Sequence, residues 1–333
     1  MTDDLVPERY FYHSFPRRGA SSADELNKGC KILEAIRDFG LLLTPQLIEW
    51  EQPSVGGAPP RTIPILQKRV CFTELAAPQL PAHAERFGHF ALEFNIEVVR
   101  SLGAVPVFYI PQPSQTGTDG SGMATALLAI AADCWVVVQR MAFLDQMFKG
   151  PTPVAEKFDA NFAFASSPAG GGNYRIDRDE AKNVLAAIGH AVTPWTDLQN
   201  GAYGLLNFFH PTDNAKADRT LEYYREREWR VANNFRINLP GGQFVEVMHV
   251  PTIDERARLM EIDPEFFGRT IKRDVGDVQT LDGTLVYPGI GSKRIIDMVG
   301  RVIVPASVVD RARESLAELQ NPPPVVSIDE VRG

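Results

Sequence analysis

The sequence predicts an α+β fold, and three observations carry that prediction. Apolar segments of strand length recur from the beginning of the chain to its last third. Amphipathic helical segments lie between them, without the strict alternation of strand and helix that builds a doubly wound sheet. Hydrophobic residues make up 44% of the 333 positions, which is enough for a full core. We therefore expect one globular domain over residues 1–320 with a helical and loop insertion at about 111–220, and a Pro-rich tail at 321–333.

The first elements have clear local signals. Residues 9–15 alternate aromatic and polar side chains, which predicts a strand. Ser22 followed by Glu25 forms a capping box, and the apolar spacing after it predicts a helix that ends at Gly40. Pro and Gly residues between 50 and 64 predict an exposed loop. Four more apolar segments are short enough to be strands: Leu41–Leu43, Arg69–Leu75, His89–Phe94 and Val105–Ile110. Short helices are expected near 79–87 and 96–102.

The later elements follow the same logic. An apolar helix is expected over about 123–148 and another helix from about 179. Two strands flank Pro240-Gly241-Gly242 as a hairpin, and a strand is predicted over 295–304. Pro305 is expected to begin a helix that reaches about Leu319. The three prolines at 322–324 predict a disordered or extended tail.

Composition argues against several classes of protein. The 34 basic and 42 acidic residues give a net charge of −8, which does not suit a surface that coats nucleic acid or anionic membrane. The three cysteines are widely spaced and form neither a disulfide framework nor a zinc pattern, and no HExxH motif is present, so we expect no metal site. The first residues lack the apolar core of a signal peptide, and no apolar stretch is long enough to span a bilayer. These features predict a protein of the reducing cytoplasm.

The segment from Tyr223 to Val231 is the main candidate for chemistry. If it is extended, Tyr224, Glu226, Glu228 and Arg230 share one face, and Trp229 and Val231 anchor the other. Two carboxylates on one face raise the pKa of one of them, and a flanking Arg opposes that shift, so the pair is suited to acid-base or electrostatic work. A solvated strand face with a cross-strand ion pair explains the same pattern.

His13 on the first strand extends this pattern. A strand with a His, a strand with Thr73-Glu74 and a late strand with Glu226 and Glu228 stand in an order similar to that of the ADP-ribosyltransferases. That resemblance implies a mixed sheet core of the ADP-ribosyltransferase type, flanked by helices. It also implies that His13 holds the nicotinamide ribose of NAD, that a central strand supplies a hydroxyl or an aromatic residue, and that the late Glu stabilises the positive charge that develops on the ribose.

A second resemblance covers most of the chain outside 111–220. The sequence resembles the bacterial abortive-infection phage-resistance family of AbiG type, first component, whose members are named as abortive-infection proteins and antitoxins. The resemblance lies in seven segments: Tyr12–Phe15, Gly29–Leu33, Cys71–Leu75 with His83, Gly88–Phe94, Gly103–Ile110, Glu226–Arg230 and Val302–Pro305. It implies a role in phage defence and leaves the chemistry open.

Together these features predict NAD-directed chemistry, either ADP-ribosyl transfer or NAD hydrolysis, with NAD as substrate. Glu228 is the expected catalytic carboxylate, Glu226 its orienting neighbour and His13 the ribose contact. The expected pocket walls and cofactor contacts are Tyr12, Ser14, Thr73, Tyr224 and Arg230. Two alternatives stay open. One is a non-enzymatic antitoxin or interaction subunit that neutralises a partner toxin or defence-system protein, and the other is a nuclease-like effector that uses the same carboxylates around a divalent ion.

Overall fold

The computed structural model describes residues 9–16, 22–52, 61–111, 157–162, 172–177, 183, 208–212, 227–233, 236–238, 244–273 and 276–332. The chain divides into two compact units, of which the first comprises Met1–Ala124 and Leu206–Gly333 and the second comprises Thr125–Leu205. The division falls inside the insertion that the sequence predicts. Strands and helices are mixed along the first unit, so the α+β prediction is confirmed.

The first third of the chain forms the elements that the apolar segments predict. In chain order they are β1 (Arg9–Phe15), α1 (Ser22–Phe39), β2 (Leu41–Gln52), β3 (Arg61–Ala76), α2 (Leu80–Phe87), β4 (Phe90–Phe94), α3 (Ile96–Ser101), β5 (Val105–Pro106) and β6 (Phe108–Pro111). Strands β2 and β3 extend into the predicted loop at both of its ends, because residues 44–52 pair with 61–69 across it. The loop prediction was therefore too wide.

After β6, the described residues form further strands and helices. They are β7 (Lys157–Phe162), β8 (Gly172–Asp177), β9 (Phe209–Thr212), β10 (Glu228–Ala232), β11 (Arg236–Asn238), β12 (Phe244–Glu246), α4 (Ile253–Ile262), α5 (Pro264–Gly268), β13 (Thr270–Ile271), β14 (Val278–Gln279), α6 (Thr280–Gly283), β15 (Leu285–Tyr287), β16 (Gly289–Ile290), β17 (Lys293–Arg294), β18 (Arg301–Val304), α7 (Val309–Leu316) and β19 (Val325–Ser327). In the second unit, β7 and β8 pair antiparallel. The predicted hairpin around Pro240 is confirmed by the antiparallel pair β11 and β12.

A nine-stranded sheet organises the first unit. Its strands are hydrogen-bonded in the series β15, β2, β3, β1, β4, β18, β19, while β10 pairs with β3 and β5 pairs with β10. Every pair in it is antiparallel except β18 with β19. Thr73 pairs with both Tyr12 and Glu228, so β1 and β10 lie on opposite edges of β3 at this point.

One face of this sheet carries the main apolar core. Phe11, Phe72 and Phe94 pack there with side chains of α1 and α7, and all three are buried. Helix α1 lies very close to the sheet at Gly29, where an added Cβ would stand 2.2 Å from the ring of Phe90. A glycine at this position lets the helix backbone approach the strand. The opposite face has a smaller apolar cluster that includes Tyr12, Leu80 and Ile303.

Near the end of the chain, one prediction needs correction and one is narrowed to a single state. Ile295–Met298 forms a 3-10 turn, and the strand predicted over 295–304 begins only at Arg301. The carboxylate of Asp297 accepts hydrogen bonds from the backbone and side chain of Arg294, which favours the turn. Of the two states predicted for the tail, the extended one is confirmed, since β19 pairs with β18 and buries Val325.

Pro305 is followed by a 3-10 turn at Ala306–Val308 and then by α7, so a helical segment follows it as predicted. The helices predicted over 123–148 and from about 179 lie outside the described residues. Among the helices that the structure describes, none is long and apolar enough to cross a membrane.

Candidate functional site

A row of polar side chains crosses the face of the sheet opposite the main core. Directly paired residues of antiparallel strands project to the same face. The pairing therefore places Glu228, Thr73, Tyr12, Glu93 and Arg301 side by side on five neighbouring strands. The next row on this face contains Arg230 and Cys71, which are also paired. Unlike the core face, this face contains buried groups that carry charge.

Glu228 and Arg230 form a two-pronged ion pair at the start of β10. Nε of Arg230 donates to Oε1 of Glu228 at 2.7 Å, and the second guanidinium nitrogen donates to Oε2 at 3.0 Å. The side chain of Arg230 is 1% exposed and that of Glu228 is 13% exposed. This geometry uses both carboxylate oxygens and gives strong charge-assisted hydrogen bonds. The predicted shared face of Glu228 and Arg230 is thus confirmed.

Polar side chains of β2 and β3 extend this ion pair into a network. Arg230 donates to Oε1 of Gln67 at 3.4 Å, and Arg69 donates to the same oxygen. Arg69 also donates to Oε1 of Gln46 at 2.7 Å. Gln67 and Arg69 are buried. Sequence reasoning missed both residues, although a strand that places Gln67, Arg69 and Cys71 at alternate positions is a signal of one polar face.

A two-stranded ribbon covers the network. Strands β6 and β9 pair in parallel, with Tyr109 opposite His210, and these two rings lie 6.0 Å apart. The hydroxyl of Tyr109 donates to Oε2 of Glu228 at 3.2 Å. The amide of Gln67 donates to the carbonyl of Phe209 at 3.1 Å. We refer to β6 and β9 together as the ribbon.

The environment sets the charge state of three groups in this network. Burial alone would raise the pKa of Glu228, but Arg230 and the thiol of Cys71 hold it at about 2. Burial, together with the charge of Glu228, raises the pKa of the Cys71 thiol to about 11. Burial and the nearby guanidinium groups of Arg230 and Arg69 lower the pKa of His210 to about 4. At neutral pH the carboxylate is ionised, the thiol protonated and the imidazole neutral.

These charge states limit what the network can do. A general acid or base works best when its pKa lies near the working pH, and none of these three groups meets that condition. A cysteine acts as a nucleophile through its thiolate, which Cys71 does not form at neutral pH. The arrangement is suited to holding charged and polar groups in fixed positions.

A second group of the same chemistry lies further along the row. Tyr12 donates its hydroxyl to Oε2 of Glu93 at 2.9 Å, and Arg301 donates to both oxygens of Glu93 at 2.7 and 2.6 Å. Burial and the neighbouring Glu93 raise the pKa of Tyr12 well above its ordinary value. Sequence reasoning missed Glu93 and Arg301. The signal was a charged residue inside the apolar run of β4, since a buried charge requires a partner.

His13 lies on the other face of the sheet. It pairs with Leu92, and its ring stands 5.9 Å from that of Phe72 and 6.0 Å from that of Phe15. Its Nδ1 is 2.9 Å from the carbonyl oxygen of Cys71. The strands of His13 and Glu228 belong to one sheet as expected, but the two side chains do not open into a common cleft.

The other candidate residues are distributed unevenly. Tyr12, Ser14 and Thr73 share the face of Glu228, and Tyr12 is 1% exposed. The hydroxyl oxygen of Ser14 is buried and has no hydrogen-bond partner. Tyr224 and Glu226 lie outside the described residues. The extended backbone predicted from Tyr223 onward is interrupted at Arg227, whose φ is 40°, and β10 begins only at Glu228.

Trp229 and Val231 face the main core as predicted, and Trp229 packs edge-on against Phe11 at 5.2 Å. Within the described part of the chain, no group of three or more His, Cys, Asp or Glu side chains is placed to hold a metal ion. The site is therefore a network of arginines, a glutamate and amide groups between the sheet and the ribbon.

The structure thus defines an α+β protein with a buried, ion-paired network on one face of a mixed sheet. Comparison of the chain with protein-family models, with curated proteins and with solved structures finds no match.

Proposed function

We propose that this protein is a non-enzymatic interaction subunit of an anti-phage defence system, where it binds and neutralises a partner toxin. The observation that carries this proposal is that the carboxylate of Glu228 is already fully hydrogen-bonded within the protein. Its carboxylate is paired at both oxygens with Arg230 and also accepts the hydroxyl of Tyr109. The defence setting comes from the abortive-infection resemblance in the sequence.

Electrostatics favours this proposal over NAD-directed chemistry. A carboxylate that assists cleavage of the nicotinamide bond must respond to positive charge that appears on the ribose in the transition state. The negative charge of Glu228 is already compensated by a guanidinium that is 1% exposed. Withdrawing Arg230 from that pair would leave a buried charge without its partner, which is strongly unfavourable.

The arrangement of the other candidate residues points the same way. An NAD pocket needs polar groups that converge on one ligand. His13 faces the main core, while the hydroxyl of Tyr12 is engaged by Glu93. An interaction subunit needs no such convergence, because its binding energy comes from a broad surface while its buried network maintains the fold.

The experiment compares binding and catalysis for one preparation of the full chain. The product of the neighbouring gene is expressed alone and together with this protein, and cell growth and complex formation by size-exclusion chromatography are measured. We expect the neighbouring product to arrest growth, co-expression to restore growth, and the two proteins to elute together. The purified protein should release no nicotinamide from NAD above a blank.

The competing hypothesis gives the opposite result. An enzyme with an ADP-ribosyltransferase-like core would bind NAD in calorimetry and release nicotinamide or label a macromolecule, with no need for the neighbouring product. Nicotinamide release that increases in proportion to protein concentration, together with failure to form a complex, would overturn the proposal.

A further inference from the structure

We infer that Glu228 is a positioning residue whose side chain clamps the ribbon to the sheet. Strand β6 ends at Pro111 and β9 begins at Phe209, and the second unit, Thr125–Leu205, lies between them in sequence. Strand β6 is thus the last described element before the second unit in sequence, and β9 is the first described element after it. This inference goes beyond the proposed function and does not depend on it.

Hydrogen bonds between described residues connect the sheet to the ribbon. Tyr109 donates to Glu228 at 3.2 Å, and Gln67 donates to the carbonyl of Phe209 at 3.1 Å. The backbone adds one bond next to the ribbon, from the amide of Val107 to the carbonyl of Glu228 at 2.8 Å. Two of these three bonds end on Glu228.

The ribbon is a short two-stranded sheet. An isolated pair of short strands is marginally stable in water. Phe108 and Phe209 pair on the side of the ribbon opposite Tyr109 and His210, and Phe108 is 57% exposed. Phe108 therefore contributes little apolar burial, whereas Tyr109 on the other side of the ribbon is bonded to the sheet.

The chemistry of Glu228 makes the clamp sensitive to one substitution. Oε2 of Glu228 accepts hydrogen bonds from both Arg230 and Tyr109, and Oε1 accepts one from Arg230. A glutamine has one acceptor oxygen, so Glu228→Gln cannot satisfy the guanidinium fork and the tyrosine hydroxyl together. Loss of a hydrogen bond to a charged group corresponds to about a tenfold or larger shift in a local equilibrium.

Glu93 supplies a matched control. It is a buried glutamate that accepts the same fork from Arg301 and a hydroxyl from Tyr12, but its tyrosine lies on the neighbouring strand β1 and not on the ribbon. Glu93→Gln removes a carboxylate that pairs with an arginine on the same face of the sheet. Its effect should remain within β1, β4 and β18.

The test is hydrogen exchange by mass spectrometry on the full chain of wild type, Glu228→Gln and Glu93→Gln. In Glu228→Gln we expect exchange to accelerate at least about tenfold more in peptides covering 107–111 and 208–212 than in peptides of β4 and β18. In Glu93→Gln the ribbon peptides should exchange as in wild type. Equal exchange of the ribbon in all three proteins would overturn the inference, as would equal acceleration across the whole sheet in Glu228→Gln.

A milder variant keeps the test decisive if Glu228→Gln does not fold. Tyr109→Phe removes only the hydroxyl that reaches Glu228 and leaves the pair with Arg230 intact. It should accelerate exchange in peptides of the ribbon by roughly three- to tenfold and nowhere else. Unchanged exchange of these peptides in Tyr109→Phe would contradict the clamp.

Discussion

At the scale of single residues, two carboxylates on the polar face are each paired with an arginine. Arg230 with Glu228 and Arg301 with Glu93 each join a guanidinium to both carboxylate oxygens. Sequence alternation was enough to place Glu228 and Arg230 on one face. It could not identify Tyr109, Gln67 or Glu93 as members of these networks, because their partners lie 81 to 208 positions away.

Breaking the pair of Glu228 and Arg230 from one side should be more damaging than removing both charges. Arg230→Met should lower the free energy of unfolding by about 3–5 kcal/mol, because it leaves a buried carboxylate without its partner. The double variant Glu228→Gln/Arg230→Met should be less unstable than the sum of the two single variants, with a coupling energy of about 2 kcal/mol or more. Urea denaturation of the four proteins measures this.

An exposed pair serves as the control for that cycle. Arg313 and Asp310 lie 3.2 Å apart, with side chains that are 58% and 90% exposed. Substitution of either residue by Ala should change the free energy of unfolding by less than about 1 kcal/mol, and the coupling should be small. Strictly additive effects at Glu228 and Arg230 would show that their pairing contributes nothing to the stability of the fold.

The thiol of Cys71 should be unreactive in the folded protein. Burial and the nearby Glu228 raise the pKa of Cys71 to about 11, so very little thiolate is present at pH 8. Alkylation by iodoacetamide at pH 8, followed residue by residue by mass spectrometry, should be slower at Cys71 than in urea-unfolded protein by roughly two orders of magnitude or more. Labelling at equal rates in native and unfolded protein would contradict this environment.

At the scale of elements, local signals predicted the strands and helices of the first third of the chain but not their ends, and they missed the elements between Ile253 and Arg294. The capping box at Ser22 and the glycine at 40 located α1 to within one residue. The lengths of β2 and β3 depend on pairing with each other, which no local pattern shows. The same reason applies at 295–298, where contacts between Arg294 and Asp297 favour a turn over the strand that apolar composition predicted.

The contact of α1 with the sheet gives a test at this scale. Gly29→Ala should destabilise the protein by about 1–3 kcal/mol, because the new methyl group would stand 2.2 Å from the ring of Phe90 in a packed core. Gly268→Ala is the control, since its added Cβ would meet only the methyl group of Met260, at 3.9 Å. Thermal unfolding should show a lower melting temperature for Gly29→Ala but not for Gly268→Ala. Equal melting temperatures of the two variants would mean that α1 can shift away from the sheet.

At the scale of the whole molecule, two partly buried histidines couple stability to pH. Burial, followed by the charge of Arg86, lowers the pKa of His83 to about 4, and burial with two nearby arginines lowers that of His210 to about 4. In the unfolded chain a histidine has a pKa of about 6.5. Between about pH 6.5 and 4 the unfolded chain therefore binds more protons than the native protein, and stability decreases as the pH falls through this window.

The size and origin of this acid sensitivity can be measured together. Each histidine should contribute about 2–3 kcal/mol of lost stability between pH 6.5 and 4, while Glu228, with a pKa of about 2, adds its loss only at pH below about 4.5. Urea midpoints of wild type, His83→Gln, His210→Gln and the double variant at pH 7, 5.5 and 4.5 report the slope. Each single substitution should reduce the pH dependence of the urea midpoint by about half as much as the double substitution does. The two effects should add because the histidines belong to different elements, α2 and β9. A slope that persists unchanged in the double variant would assign the acid sensitivity to other groups.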